Sequence, residues 1–210
     1  MLKLVAFDCD GVLFDSLKAN IAFYNTILGH FGQPPLSLAA QDYIHSHTVW
    51  ESLEYLFQGY PDLGEVVRLA RSFDYTPFIP MMVEEPFLRE FLRFLRPGHF
   101  TALATNRTTT TQAVLHYHGL THDFDLVVSA QDVSRPKPHP ESFVRILAHF
   151  GLAPREAIYI GDTKVDEAFA AAAGVPFVSY RNPGLQAAHH LDSFAAGPAL
   201  VQALAGGRRQ

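Results

Sequence analysis

The sequence has 210 residues, enough for one domain with a substantial insertion, and 48% of them are hydrophobic, enough for a buried core. Its formal net charge of −5 excludes the basic excess typical of nucleic-acid-binding proteins, and no stretch approaches the roughly 20 consecutive apolar residues of a membrane span. Because the chain has a single cysteine, a disulfide framework is excluded, and we expect a cytoplasmic protein without nucleic-acid or membrane partners.

Five short apolar runs predict buried parallel strands. They lie at residues 2–7, 100–104, 125–129, 157–160 and 176–180. Helical patterns occur at residues 108–118, 140–150 and 164–173, and each is followed by a glycine of the kind that ends helices. Strands that alternate with helices of this length predict an α/β fold with a Rossmann-like parallel sheet, covered by helices on both faces.

Residues 16–85 interrupt this alternation. They show helical periodicity and many aromatic residues, and they contain no run typical of a strand. We interpret this region as a helical insertion after the first strand. Its hinges are predicted near Ser16 and within residues 77–86, where prolines recur.

Seven polar residues follow the predicted strands, where an open parallel sheet binds its ligands. They are Asp8, Asp10, Thr105, Asn106, Lys137, Asp162 and Asp166. Since residues four apart share one face of a helix, we expect Asp162 and Asp166 to point toward the same site. The sequence therefore predicts one polar site at the carboxyl edge of the sheet.

These residue types suit phosphoryl transfer. A carboxylate such as Asp8 can attack phosphorus and form an aspartyl-phosphate, which divides one difficult step into two easier ones. Asp10 can protonate the leaving oxygen and later deprotonate water. Lys137 and the Thr105 hydroxyl can bind phosphoryl oxygens, while clustered carboxylates favour Mg²⁺ as a hard cation. Gly11 allows a sharp turn that brings backbone amides toward the phosphate.

Four motifs occur in order along the chain: FDCDGVLFDS from Phe7, ATN from Ala104, KPHPESF from Lys137 and GDTKVD from Gly161. Their order and spacing resemble the four motifs of the haloacid dehalogenase-like hydrolases. Any one of them alone is weak, but the ordered set spans nearly the whole chain and is specific. Because dehalogenases of this superfamily lack the second aspartate of the first motif, Asp10 favours phosphoryl chemistry.

The resemblance implies a catalytic centre with Mg²⁺. Asp8 would be the nucleophile and a metal ligand, and Asp10 would be the acid–base residue with its backbone carbonyl on the metal. Asp162 would be the acidic metal ligand, and Asp166 would support it or bind the metal directly. The phosphate would be bound by Thr105, Asn106 and Lys137.

The helical insertion is similar to the small α-helical cap of this family. The resemblance thus implies a core domain of residues 1–15 and 86–210 and a cap domain of residues 16–85. Such a cap closes over the site and selects the substrate. His45, His47 and Thr48 lie about where these caps place a specificity loop, so they are candidate substrate contacts, with surface or cap packing as the alternative.

The resulting hypothesis is a phosphatase for a small phosphorylated metabolite of the phosphoglycolate or sugar phosphate type, acting as a monomer or homodimer. A phosphomutase of the same fold is an alternative, and it would require an aspartyl-phosphate that outlives product exchange. A phospho-accepting signalling module also uses Asp, Thr or Ser, Lys and Mg²⁺ on a parallel sheet. Release of inorganic phosphate over many turnovers separates the phosphatase from both alternatives.

Overall fold

The computed structural model describes residues 1–206, and its strands confirm the predicted parallel sheet. The strands are β1 (Leu4–Phe7), β2 (Phe14–Asp15), β3 (Val83–Glu84), β4 (Phe100–Thr105), β5 (Leu126–Ser129), β6 (Ala157–Gly161), β7 (Phe177–Tyr180) and β8 (His189–Leu191). Six of them form one sheet in the order β5-β4-β1-β6-β7-β8, and each neighbouring pair is parallel. This is a doubly wound order, in which the chain direction across the sheet reverses beside β1.

Helices cover both faces of this sheet. The helices of residues 1–206 are α1 (Leu17–His30), α2 (Leu38–Ser46), α3 (Val49–Leu56), α4 (Leu63–Ser72), α5 (Leu88–Leu95), α6 (Thr111–Tyr117), α7 (Glu141–Phe150), α8 (Lys164–Ala173) and α9 (Gly197–Gly206), of which α1 to α4 belong to the insertion. Successive residues of a strand point to opposite faces. Val5 and Phe7 therefore pack in one apolar cluster with residues of α5 and α9, while Leu4 and Ala6 pack in another with residues of α7 and α8. Both faces are buried, which explains why β1 is apolar throughout.

The insertion is helical, as predicted. Helices α1 to α4 lie between β2 and β3, and the side chains of Ser37, Thr48 and Asp62 accept backbone N–H bonds at the starts of α2, α3 and α4. Strands β2 and β3 form a two-stranded antiparallel ribbon, which pairs the segment that enters the insertion with the segment that leaves it. Phe14 lies opposite Glu84. Strands of two residues are too short to show a period, so the sequence did not reveal them. The division into a cap at 16–85 and a core stays a prediction.

One local prediction was wrong. Helix α8 begins at Lys164 and is capped by Thr163, so Asp162 lies before the helix and does not share a helix face with Asp166. The two carboxylates approach because β6 ends directly before Asp162, while Asp166 lies in the first turn of α8. Strand β8 was also missed, since its two histidines obscure the apolar pattern. Within residues 1–206, no helix combines the length and apolarity that crossing a membrane requires.

Candidate active site

The predicted site residues meet at the carboxyl edge of the sheet. Asp8 directly follows β1, Thr105 is the last residue of β4, and Asp162 directly follows β6. These three strands are neighbours, with β1 in the middle. The register of parallel strands therefore brings the three side chains to one edge, beside the point where the sheet reverses direction.

Lys137 lies between two carboxylates at this edge. Its Nζ atom is 2.8 Å from Asp8 Oδ1 and 2.7 Å from Asp166 Oδ1, and it also donates to the Tyr159 hydroxyl at 2.9 Å. Burial works against the charge of Lys137, but the charges of Asp166 and Asp8 outweigh it and raise the pKa of the ammonium group. Lys137 is therefore a fixed positive charge beside Asp8.

Two further carboxylates lie close to that of Asp8. One ligand oxygen from each of Asp8, Asp162 and Asp166 lies within 4.8 Å of the other two. Burial raises the pKa of Asp8 to about 7; Lys137 opposes the shift, and the charges of Asp166 and Asp162 add to it. Burial also raises the pKa of Asp162, against a hydrogen bond from His45. The cluster thus carries more negative charge than Lys137 compensates.

The same residues fit a hard cation. Asp162 Oδ1 is buried and has no hydrogen-bond partner within residues 1–206, although a buried carboxylate oxygen normally has one. Gly11 has a φ of +76°, and a Cβ atom there would overlap Asp162 Oδ2, so any side chain would fill the space beside this carboxylate. Clustered carboxylate oxygens, one of them without a hydrogen-bond partner, suit Mg²⁺.

Asp10 does not join this cluster. Both oxygens of its carboxylate accept hydrogen bonds from Arg107, at 2.8 Å each. Burial favours the neutral acid, but the charge and hydrogen bonds of Arg107 hold the pKa of Asp10 below its usual value. Sequence reasoning missed Arg107, although it directly follows the ATN motif. Its place just after the predicted strand at residues 100–104, next to two predicted site residues, was the available signal.

Thr105 and Asn106 contact different neighbours. The Thr105 hydroxyl accepts the backbone N–H of Arg107 at 3.1 Å. The Asn106 side chain accepts the backbone N–H of Lys137 at 3.0 Å and donates to the Lys137 carbonyl at 3.1 Å. Asn106 therefore positions the backbone of Lys137, and its predicted contact with phosphate stays a prediction.

The three predicted specificity residues all border the site cavity, but in different ways. His45 Nε2 lies 3.0 Å from Asp162 Oδ2, across 117 residues of sequence. Burial lowers the pKa of His45, but Asp162 outweighs burial and raises it to about 9. The His47 ring stacks on Tyr43 with 3.8 Å between ring centroids. Thr48 caps α3, and its hydroxyl hydrogen bonds to Glu51.

The carboxylates of Asp8 and Asp10 border a cavity of about 640 Å³ between the sheet edge and the insertion. This volume is typical of a small-molecule site. Its lining includes Asp8, Asp10 and Arg107 on the sheet side and Trp50, Arg71 and Phe73 on the insertion side. The cavity therefore joins a charged floor to a wall that is partly aromatic.

The raised pKa of Asp8 predicts a pH-dependent cost in stability. Asp8 binds its proton more tightly in the folded protein than in the unfolded chain, so protonation stabilises the fold, and this contribution is lost as pH rises from about 4 through about 7. In a chelator, we expect Asp8→Asn to gain roughly 2–4 kcal/mol of unfolding free energy relative to wild type between pH 4 and pH 8. Urea unfolding at both pH values measures the gain. The exposed Asp192→Asn is the matched control; equal differences at both pH values would contradict the prediction.

Comparisons with known proteins agree with this geometry. The sequence model described as haloacid dehalogenase-like hydrolase matches residues 5–180. A phosphoglycolate phosphatase of Nitrosospira multiformis is 31% identical over 96% of this chain and 94% of its own length. The pyrophosphatase PpaX of Bacillus pumilus is 28% identical over 82% of this chain and 80% of its own length. A crystal structure of a hydrolase of this superfamily (subfamily IA, variant 1) from Geobacter sulfurreducens has a TM-score of 0.82 and 38% identity, and the match covers 95% of this chain and all of that one. The chain therefore belongs to the haloacid dehalogenase-like hydrolase family.

Proposed function

We propose that this chain is a Mg²⁺-dependent phosphatase that hydrolyses a small phosphorylated metabolite through an aspartyl-phosphate on Asp8. One observation carries the proposal: Asp8 lies against the ammonium group of Lys137, within a cluster of three carboxylates, on the floor of a cavity. A nucleophile, a fixed cation and a site for a hard metal ion are what phosphoryl transfer to a carboxylate requires.

The family and the phosphatase relatives identify the chain as a hydrolase of phosphoric monoesters. The relatives' names specify phosphoglycolate and pyrophosphate, which are compact and anionic. We propose a substrate of this size, or a small sugar phosphate. A cavity of about 640 Å³ accommodates either one.

In the first step, we propose that a carboxylate oxygen of Asp8 attacks phosphorus while the bond from phosphorus to the leaving oxygen breaks. Asp10, once it has left the Arg107 guanidinium group and taken up a proton from solvent, gives that proton to the oxygen, so the product leaves as an alcohol. Lys137 and the Thr105 hydroxyl bind the phosphoryl oxygens and stabilise the charge that they carry in the transition state. Asp8, Asp162 and the Asp10 carbonyl would hold Mg²⁺, which would further neutralise this charge.

In the second step, Asp10 takes a proton from a water molecule, and the water oxygen attacks phosphorus. The bond from phosphorus to the Asp8 oxygen breaks, which releases inorganic phosphate and restores both aspartates. The helical insertion limits the access of bulk water, and His45, His47 and Thr48 are proposed to contact the substrate from its side of the cavity.

Phosphate release from an aryl phosphate, measured with and without Mg²⁺, tests the proposal. We expect turnover to be lost in a chelator and restored by Mg²⁺. Multiple turnovers with net phosphate release would exclude a signalling module, whereas isomerisation of a sugar phosphate without release would show a mutase. A wild-type protein that releases no phosphate from the aryl ester or from a panel of small phosphate esters would overturn the proposal.

Mg²⁺ binding can be measured independently of turnover, through thermal stability. Because Mg²⁺ would bring counter-charge to the carboxylates, we expect it to raise the melting temperature of the wild type. Asp162→Asn removes one ligand charge, so this rise should shrink strongly and need at least about tenfold more Mg²⁺. The control is Asp192→Asn, with an exposed carboxylate. An unchanged Mg²⁺ response in Asp162→Asn would contradict the assigned ligand.

The absence of nucleic-acid partners and the monomeric or homodimeric state remain proposals. So does the cytoplasmic location, which the single buried cysteine, Cys9, favours. Light scattering at several protein concentrations measures the oligomeric state.

A further inference from the structure

The carboxylate of Asp10 is bound by a cation. Arg107 Nε donates to Asp10 Oδ2 and Nη2 donates to Asp10 Oδ1, each at 2.8 Å. Only 7% of the Arg107 side chain and 11% of the Asp10 side chain are exposed. Two parallel charge-assisted hydrogen bonds in a buried place form a strong pair. In this arrangement both Asp10 oxygens face the guanidinium group, so neither is free to reach a reacting oxygen.

Neutral groups hold Arg107 in place independently of Asp10. The Tyr75 hydroxyl accepts from Arg107 Nη2 at 3.1 Å, and the Tyr75 ring lies 4.8 Å from the guanidinium carbon. Thr110 Oγ1 accepts from Nη1 at 3.0 Å, and Asn20 Oδ1 accepts from Nη2 at 3.3 Å. Asp10 could therefore leave while the guanidinium group remains where it is.

Arg107 also faces the cavity that Asp8 and Asp10 border. In the proposed reaction the phosphoryl group is bound at Asp8, and the leaving oxygen lies toward Asp10. The first atoms of the leaving group then lie beside Arg107. Tyr75 and Asn20 belong to the segment between β2 and β3, so this pocket is built from both the sheet edge and the insertion.

We propose that Arg107 is an anion receptor, and that a second anionic group on the substrate replaces Asp10 in this pair and frees Asp10 for the leaving oxygen. This inference rests on the proposed phosphatase function. It specifies the substrate as a phosphoric monoester whose leaving group carries a carboxylate or a second phosphoryl group within a few bonds of the ester oxygen. A neutral leaving group would leave the pair intact and react slowly.

A purely structural pair makes a different prediction. If Arg107 only stabilised the fold, its replacement would lower the rates for all esters alike. If it only bound the substrate anion, the anion would lower KM and leave kcat unchanged. Exchange at Asp10 requires the anion to raise kcat as well, because it prepares the acid–base group for the chemical step.

Two esters that differ only in the second anion test the exchange: 2-phosphoglycolate, with a carboxylate, and 2-hydroxyethyl phosphate, with a neutral hydroxyl. For wild type with Mg²⁺, we expect kcat to be at least about tenfold higher, and kcat/KM roughly 100-fold higher, for 2-phosphoglycolate. In Arg107→Met the kcat ratio of the two esters should fall toward one. Arg107→Lys keeps the charge but cannot form two parallel hydrogen bonds, so its kcat ratio for the two esters should be intermediate. Arg155→Met, at an exposed arginine before β6, is the matched control and should keep the wild-type ratio.

The outcomes separate the inference from the function on which it rests. If wild type releases phosphate from neither ester nor from any other small phosphate ester, both are overturned. If wild type hydrolyses the two esters with similar kcat, the exchange is overturned and the phosphatase stands. A wild-type ratio that persists in Arg107→Met would show that another residue binds the anion. Should Arg107→Met fail to fold, the wild-type ratio and Arg107→Lys still decide the question.

Discussion

Asp8→Asn is expected to lower kcat/KM by at least about 10⁴-fold, because a neutral amide does not attack phosphorus and binds a cation more weakly. The measurement is phosphate release with saturating Mg²⁺, compared with wild type. The protein should remain folded, and in a chelator near pH 8 it should be more stable than wild type, since burial penalises the charge of Asp8.

This combination of lost activity and gained stability is specific to a functional carboxylate. A residue that only supported the fold would lose both together. Asp192→Asn, which changes an exposed carboxylate that follows the edge strand β8, three strands from β1, should keep both activity and stability. If Asp8→Asn retained activity within tenfold of wild type, another group would have to be the nucleophile.

Lys137→Met is expected to reduce both activity and stability. The variant removes the cation that lies 2.8 Å from Asp8 and 2.7 Å from Asp166, and that restrains the pKa of both carboxyl groups. We expect kcat/KM to fall roughly 10²- to 10³-fold, as when one donor to a transition state is lost. In a chelator, unfolding free energy at pH 8 should fall by about 3 kcal/mol, because two buried carboxylates lose their partner.

The stability loss in Lys137→Met should depend on pH in a defined direction. Without Lys137 the folded-state pKa values of Asp8 and Asp166 rise, so the two groups bind protons more tightly when folded. Their protonation at pH 5 then relieves the repulsion, and the loss relative to wild type should be smaller there than at pH 8. Urea unfolding at both values measures it. Lys164→Met removes an exposed lysine and is the matched control; an equal loss at pH 5 and pH 8 would indicate lost packing rather than lost charge.

Much of the fold could be predicted from local pattern. Short apolar runs predicted β1, β4, β5, β6 and β7, because a strand buried on both faces needs apolar residues throughout. The glycines after α7 and α8 take a left-handed conformation and end these helices as predicted. Strands β2, β3 and β8 were not predicted, since two or three residues are too few to show a hydrophobic period.

The candidate site, like the fold, could be predicted from the sequence only in part. The sequence by itself determined that Asp8, Thr105 and Asp162 would meet, because polar residues that follow neighbouring parallel strands must share one edge. Only the tertiary structure decided which partner each carboxylate has. The pairing of Asp10 with Arg107 spans 97 residues, and that of His45 with Asp162 spans 117. Such pairs depend on where packing directs each side chain, and no local period of the sequence records that direction.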